Sequence, residues 1–420
     1  MSINNGALIR TLFVAVGVFA AAGLMAGPAL LHTAAQKPTK SDLFVQVDQS
    51  TRDLTPEQEA LLAKIKQETT TAETRLVTVR TALLSPSPTS LLVNVKPGKQ
   101  FEVLTTETRP GEEGIMTWIG KPQAPSDAAV FIVDNGNVTG TIREGNELYS
   151  VRPLGGGLHV VIRQDQTKFP PEHPPQFAQL EKEAPKEFPS LAIADVSPGP
   201  KVLRVLVAYT PSVAAARPDI NAFIDLAIAE TNLSYTNSQV NIRAELAHAY
   251  QVSYQESSNQ DSDLVLFRNN NDSVMDEVHN LRNTYSADVC VLLVNTGAFC
   301  GTASAILATE STAFAVVYYS CATGNYSFGH EIGHLQGARH NIEADPDVTP
   351  FAYGHGHYNQ SGNWRTVMSY ACPGEAGCPR IPYWSNPNLK YNGAPLGTEP
   401  YCNDARVLNE TAPIVTAFRN

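Results

Sequence analysis

Apolar positions divide the chain into stretches of different texture. Residues 12–31 are almost unbroken hydrophobic sequence, interrupted by Gly23, Gly27 and Pro28. Beyond them, Leu61, Leu62 and Ile65 give residues 54–71 a modest helical face. Residues 128–133, 138–142, 148–151 and 158–162 have the length and branched-residue content of short strands. Between the first two stands Asp134-Asn135-Gly136-Asn137, a tight-turn signature because Asn and Gly tolerate positive φ. From residue 202 onward the pattern changes. Residues 202–210 form a continuous apolar run, fit for a buried strand. Residues 220–237 place Ile220, Phe223, Ile224, Ala227 and Ile228 at helical spacing. A strand at 240–254, a helix at 274–285, and strands at 287–294 and 314–319 follow. Strands alternating with helices predict an α/β layer with a twisted, mostly parallel sheet, preceded by a small β-rich domain.

The segment joining the two is dense in proline: Pro170, Pro171, Pro174, Pro175, Pro185, Pro189, Pro198 and Pro200. It reads as an extended linker. At the other end, Arg10 is the only charge ahead of the first apolar run, and Thr33-Ala34-Ala35 supplies small residues at a cleavage site. This is the pattern of a secretory signal peptide, with an uncleaved membrane anchor as the alternative because the run is long enough to span. The expected organisation is a signal peptide at 1–35, a small β-rich domain at 36–168, a linker at 169–201 and an α/β domain at 202–420. The mature protein is expected outside the cytoplasm, secreted or periplasmic, with no stable membrane association, acting as a monomer.

Composition changes this picture in two respects. The 420 residues are 43% hydrophobic and carry a net charge of −11, from 30 Lys and Arg against 41 Asp and Glu. Such a balance excludes nucleic acid as an expected partner, since phosphate contacts need a basic face. The six cysteines (Cys290, Cys300, Cys321, Cys372, Cys378 and Cys402) all fall in the last third. In an exported chain they read as disulfides. Cys300 and Cys321, and Cys372 and Cys378, have spacings that suit local bridges. Cys290 and Cys402 either pair or remain thiols, Cys290 sitting in an apolar strand.

The chemistry concentrates in Ser327-Phe328-Gly329-His330-Glu331-Ile332-Gly333-His334-Leu335-Gln336-Gly337-Ala338-Arg339-His340. On a helix, His330 and His334 project from one face, one turn apart, as two ligands of a single zinc ion. Glu331 lies beside them as a general base rather than a ligand. Gly337 allows a sharp turn that brings His340 round as third ligand. Three protein ligands leave a fourth position for water, the mark of a catalytic site. His355 with His357 lacks a third partner for a second metal and reads as structural, as do His248 and His279. Asn325-Tyr326-Ser327, abutting this helix, matches a glycosylation acceptor.

Downstream, Thr366-Val367-Met368-Ser369-Tyr370 resembles the methionine turn of the metzincin endopeptidases. Gly354-His355-Gly356, Trp364-Arg365-Thr366, Cys378-Pro379-Arg380, Tyr383-Trp384-Ser385-Asn386-Pro387 and Asp404-Ala405-Arg406-Val407-Leu408-Asn409 are similar to the bacterial reprolysin-like branch, notably the peptidyl-Asp metalloendopeptidases. The resemblance implies a zinc-dependent endopeptidase made as a precursor and acting on proteins or peptides. His330, His334 and His340 would bind zinc, Glu331 would be the base and Met368 the floor beneath the imidazoles. Tyr370 is either an auxiliary donor to the oxyanion or a packing residue. The strand at 314–319 is expected to be the edge that pairs with substrate. Arg380 either meets an acidic side chain after the cut bond or makes a structural ion pair. With no cysteine in the precursor, latency must use another group or occlusion of the cleft, and a cut in the linker, for instance before Asp195, would release the enzyme. The competing readings are a catalytically silent binding or adhesion protein of the same fold, against which Glu331 argues, and a peptidase confined to one partner.

Overall fold

The computed structural model describes residues 42–48, 53–84, 90–111, 114–122, 128–173, 199–374 and 377–419. The expected signal peptide and linker residues 174–198 lie outside them. Lys40–Asn420 forms one compact unit.

The amino-terminal part is a nine-stranded antiparallel sheet, larger than the four strands legible in the sequence. Its strands are β1 (Phe44–Gln46), β2 (Thr71–Val79), β3 (Ser90–Lys96), β4 (Lys99–Pro110), β5 (Met116–Pro122), β6 (Ala128–Asp134), β7 (Asn137–Glu144), β8 (Glu147–Gly155) and β9 (Leu158–Gln164). They pair in the order β1-β2-β9-β8-β7-β6-β5-β4-β3. The β6–β7 turn has φ of 48° at Asn135 and 80° at Gly136, as a two-residue hairpin turn requires. Helix α1 (Pro56–Gln67) starts with a capping box between Thr55 and Gln58 and lays Leu62 and Ile65 on the sheet.

The carboxy-terminal part is built on β10 (Lys201–Tyr209), β11 (Ile242–Gln251), β12 (Val289–Val294), β13 (Gly301–Ala303) and β14 (Phe314–Tyr318), in the order β11-β10-β12-β14-β13. All neighbours are parallel except β13, which runs antiparallel to β14. The edge strand beside α7 (Ser327–Leu335) is therefore β13, and the expectation that 314–319 forms the edge is corrected. A three-residue Gly-Thr-Ala strand carries no apolar alternation that would reveal it.

The sheet is covered on both faces, which is why β10, β12 and β14 read as continuous apolar runs. On one face Val205, Leu293 and Val317 meet α3 (Ile220–Asn237), α7 (Ser327–Leu335) and α8 (Asp404–Val415). On the other, Leu206, Leu292 and Val316 meet α4 (Gln260–Arg268) and α5 (Glu277–Thr284). The short α2 (Pro211–Ala216) and α6 (Tyr319–Ala322) complete the layer. Among the described residues, no helix is long and apolar enough to cross a membrane.

Helix α3 joins the two parts. Phe223, Ile224 and Ala227 face the parallel sheet, while Ala222, Leu226, Ala229 and Leu233 pack on Ile119, Ala128, Val130 and Ile132 of the antiparallel one. Polar contacts frame this seam. Thr139 donates to Asp219 at 2.6 Å, Arg152 bridges Glu68 and the Ala216 carbonyl at 2.7 Å each, and Glu230 accepts from Thr141 and from the Gly324 amide.

Candidate active site

Helix α7 is short, and its end is set by sequence. The Gly337 amide donates to the His334 carbonyl and the Ala338 amide to Gly333, both at 2.9 Å. This crossed pair of bonds is a Schellman motif, and Gly337 takes the positive φ of 105° that it needs. The chain reverses, and residues 339 and 340 are then fixed against Gly354 and Gly356, with Arg339 donating to Gly354 at 2.7 Å and Gly356 to Arg339 at 3.0 Å. His355 Nδ1 meets the His340 carbonyl at 2.8 Å, so this histidine braces the third one rather than building a second metal site.

The three imidazoles converge. His330 and His334 Nε2 lie 3.2 and 3.1 Å from His340 Nε2. Nδ1 of His330 faces the Val367 carbonyl at 2.8 Å and Nδ1 of His334 the Ala338 carbonyl at 2.9 Å. A carbonyl accepts only, so each Nδ1 carries the proton and each Nε2 presents a bare lone pair. Burial keeps the rings neutral: it holds His330 and His340 well below the usual imidazole range and pushes His334 down to about 3. Buried, neutral lone pairs about 3 Å apart repel unless a cation sits between them, so this donor set fits a metal ion.

The floor is as close as two glycines allow. A Cβ at Gly333 would lie 2.6 Å from the Trp384 ring and 3.0 Å from Met368 Sδ. One at Gly356 would lie 2.6 Å from the Met368–Ser369 backbone. Val367 and Met368 are fully buried, and Trp384 stacks on Tyr235 with ring centroids 5.7 Å apart.

Glu331 lies beside the histidines on α7, its carboxyl against the edge strand. A Cβ at Gly301 would stand 2.5 Å from Glu331 Oε1, so only glycine leaves room for this carboxylate. Burial first, then the Glu172 charge, raises the acid well above the usual carboxylate range. Tyr370 reaches the cleft too: its ring centroid is 4.3 Å from that of His340 and its hydroxyl donates to the His173 carbonyl. Burial and Glu172 raise this phenol, so it remains a proton donor.

Arg380 is placed at the cleft, buried, and it faces an acidic side chain that sequence reasoning missed. Glu172 Oε1 is 2.5 Å from Arg380 Nη2 and 3.7 Å from Arg365 Nη1. Its Oε2 is 3.9 Å from His330 Nε2, and Glu172, His330 and Glu331 offer ligand atoms within 4.8 Å of one another. Residues 169–173, read as the start of an extended linker, thus run through the cleft. Pro171 accepts from the Cys300 amide at 3.0 Å, and His173 pairs with Asp261 at 3.0 Å. Nothing local in a proline-rich stretch marks Glu172, because its partners lie 158 to 208 residues away in sequence.

The cysteine pairs Cys300–Cys321 and Cys372–Cys378 are bonded, with Cα separations of 5.4 and 5.1 Å. Cys290 and Cys402 are buried thiols. Asn325, in the acceptor pattern, is 4% exposed and hydrogen-bonds Ser327, which leaves no room for a glycan.

An α/β layer whose helix carries converging histidines beside a buried glutamate defines a metallopeptidase. The family model described as metallo-peptidase family M12 (Reprolysin_5) matches residues 199–385. A protein of Xanthomonas campestris pv. campestris named peptidyl-Asp metalloendopeptidase is 40% identical over 376 residues, covering 86% of this chain and 89% of that one. A protein of the same name from Stenotrophomonas maltophilia is 44% identical over 342 residues, covering 77% and 81%. The chain belongs to the family of these peptidyl-Asp metalloendopeptidases, and it is a metalloendopeptidase.

Proposed function

We propose that the chain is an exported zinc endopeptidase that cuts peptide bonds on the amino side of aspartate. The observation that carries this reading is the convergence of three neutral imidazole Nε2 atoms beside the Glu331 carboxyl, at the edge of a sheet able to bind extended peptide. His330, His334 and His340 hold the metal. Zinc, when bound, makes a water acidic enough to serve as nucleophile and polarises a carbonyl. Zinc is favoured over harder cations because the donors are three imidazoles with no carboxylate among them.

Glu331 removes the proton from the attacking water and delivers it to the departing nitrogen. Its pocket against Gly301 excludes bulk water and fixes its direction. Tyr370, a protonated phenol beside His340, donates to the oxygen on which negative charge develops. Strand β13, at the edge of the sheet, aligns the substrate backbone by strand addition, which constrains conformation and tolerates many sequences. The aspartate preference is carried over from the names of the relatives. The carboxy-terminal 220 or so residues act as the peptidase, the antiparallel sheet as its precursor partner, and the export signal at 1–35 supports action outside the cytoplasm.

The test is metal removal and restoration on wild type beside Glu331→Gln. Wild type should lose peptide hydrolysis on chelation and regain it with one equivalent of zinc. Glu331→Gln should bind the same equivalent of zinc and fall at least about 1000-fold in kcat. A Glu331→Gln protein with near-normal kcat would remove Glu331 from the chemistry.

A further inference from the structure

Two buried guanidinium groups beside the histidine centre have no part in the bond-breaking step. Arg380 is 1% exposed and Arg365 9%. Backbone carbonyls orient both: Arg380 donates to Asn325 at 2.8 Å, and Arg365 donates to Cys378 at 3.0 Å and to Ser369 at 2.6 Å. Carbonyl dipoles steer a guanidinium without neutralising it, so two neighbouring cations taken out of water demand an anion. Their mutual cost is visible in Arg365, which burial and the Arg380 charge push down to about 9. The anion that meets them is Glu172, and it belongs to the precursor segment rather than to the peptidase domain. The surrounding cavity, about 570 Å³, extends past Tyr370 to Gly374 and Gly377 on the Cys372–Cys378 loop, so Glu172 does not fill it.

Glu172 enters as a substrate residue would. On one side of it the Pro171 carbonyl is bonded to the Cys300 amide, where the edge strand begins. On the other, Tyr370 donates to the His173 carbonyl. Its second carboxylate oxygen, Oε2, is buried without a hydrogen-bond partner and faces the histidines. A carboxylate oxygen stripped of water and of every proton donor is costly unless a cation meets it, and the three-histidine centre supplies that place.

We propose that Arg380 and Arg365 form the pocket that receives the acidic side chain following the scissile bond, and that Glu172 occupies this pocket in the precursor, closing the open side of the metal centre and holding the enzyme latent. This rests on the zinc-endopeptidase reading above. When the segment leaves, the arginines lose their only carboxylate among the described contacts, and a substrate with an acidic side chain restores one. A neutral isostere leaves both cations buried and unpaired, which is the situation in which polar pockets discriminate most strongly. The same contact that selects the substrate thus keeps the precursor silent, without a cysteine.

The test uses the full-length zinc-loaded precursor as wild type, Glu172→Gln and the Glu172→Gln/Arg380→Gln double variant. Each is assayed on two peptides identical except for Asp or Asn after the cut bond. Zinc release to a chromogenic chelator is followed in parallel and does not depend on activity. Glu172→Gln should cleave the Asp peptide at least about tenfold faster than wild type before the chain shortens, and should lose zinc about tenfold faster. Adding Arg380→Gln should lower the Asp-to-Asn ratio of kcat/KM by about 100-fold or more. If that double variant does not fold, Glu172→Gln/Arg380→Lys keeps the charge, loses the planar fork and should still lower the ratio. A Glu172→Gln precursor as silent and as slow to lose zinc as wild type, while chain nicked within 174–198 is active, would overturn the latch and leave the peptidase reading standing. An unchanged Asp-to-Asn ratio in the arginine variants would overturn the pocket. No cleavage by any form, nicked chain included, would overturn the peptidase reading as well.

Discussion

Gly301→Ala is a one-methyl test of whether Glu331 acts as general base from its position in the structure. The new Cβ would lie 2.5 Å from Glu331 Oε1, 2.7 Å from Cγ and 2.8 Å from Cδ, against an ordinary contact of 3.4 Å or more. The carboxylate must therefore retreat by about 0.9 Å, because Gly301 is held to Val317 across the β13–β14 ladder and Glu331 is on a buried helix. A displacement near 1 Å at a reacting group costs about 100-fold, or about 2.7 kcal/mol of barrier. The histidines are not touched, so zinc affinity and the melting temperature should change little. Steady-state kinetics on a fluorogenic peptide, with zinc content measured on the same sample, should give kcat down about 100-fold and KM within about threefold. A variant with kcat within threefold of wild type would mean that Glu331 does not act from this position.

Gly337→Ala forces a side chain into φ of 105° and should destabilise by about 1–2 kcal/mol; His340 shifts with the turn, so a zinc titration should show affinity lower by about tenfold. Breaking the Cys300–Cys321 bridge, which closes a separation of 21 residues, should cost about 3 kcal/mol in thermal unfolding. It should also raise the peptide KM, because Cys300 anchors the edge strand. Burial pushes Glu230 up to about 7 from 4.5, against the pull of Thr141, the Gly324 amide and Arg143. A raised carboxyl pKa means that docking of the amino-terminal sheet takes up a proton: its contribution is full below pH 4.5 and is lost as pH rises toward 7, by up to about 1.4 kcal/mol per pH unit. Release of the precursor part after a nick in 174–198 should therefore become easier from pH 5 to 8, and Glu230→Gln should flatten that dependence.

The helix bearing the histidines was legible because its information is local. Two histidines one turn apart, a glutamate between them and a glycine at the reversal all fall within eleven residues, His330 to His340. Buried strands of the parallel sheet were legible for a similar reason, since both faces are covered and the apolar runs are continuous. The antiparallel sheet was only partly so. In β4 just one position, Val103, is fully buried, with Phe101 packed beside it, and two packed apolar positions in twelve give too short an alternation to detect. Strand β13 is three small residues whose role is to leave space. Glu172 was hidden by composition: proline-rich sequence suggests a solvated tether, whereas this stretch is held by an amide, a phenol and two arginines from distant parts of the chain. Arg380 was visible as a candidate with two meanings; the ion pair is the one the structure shows, made with Glu172 in the cleft.

The most direct measurement of the central claim is cleavage of a mixed peptide library by zinc-loaded, nicked protein beside Glu331→Gln, with every cut site read by mass spectrometry. The account predicts internal cuts from wild type, aspartate enriched immediately after the broken bond, and no cuts above background from the variant. Cuts that persist in Glu331→Gln, or a wild-type profile with no acidic residue at that position, would contradict it.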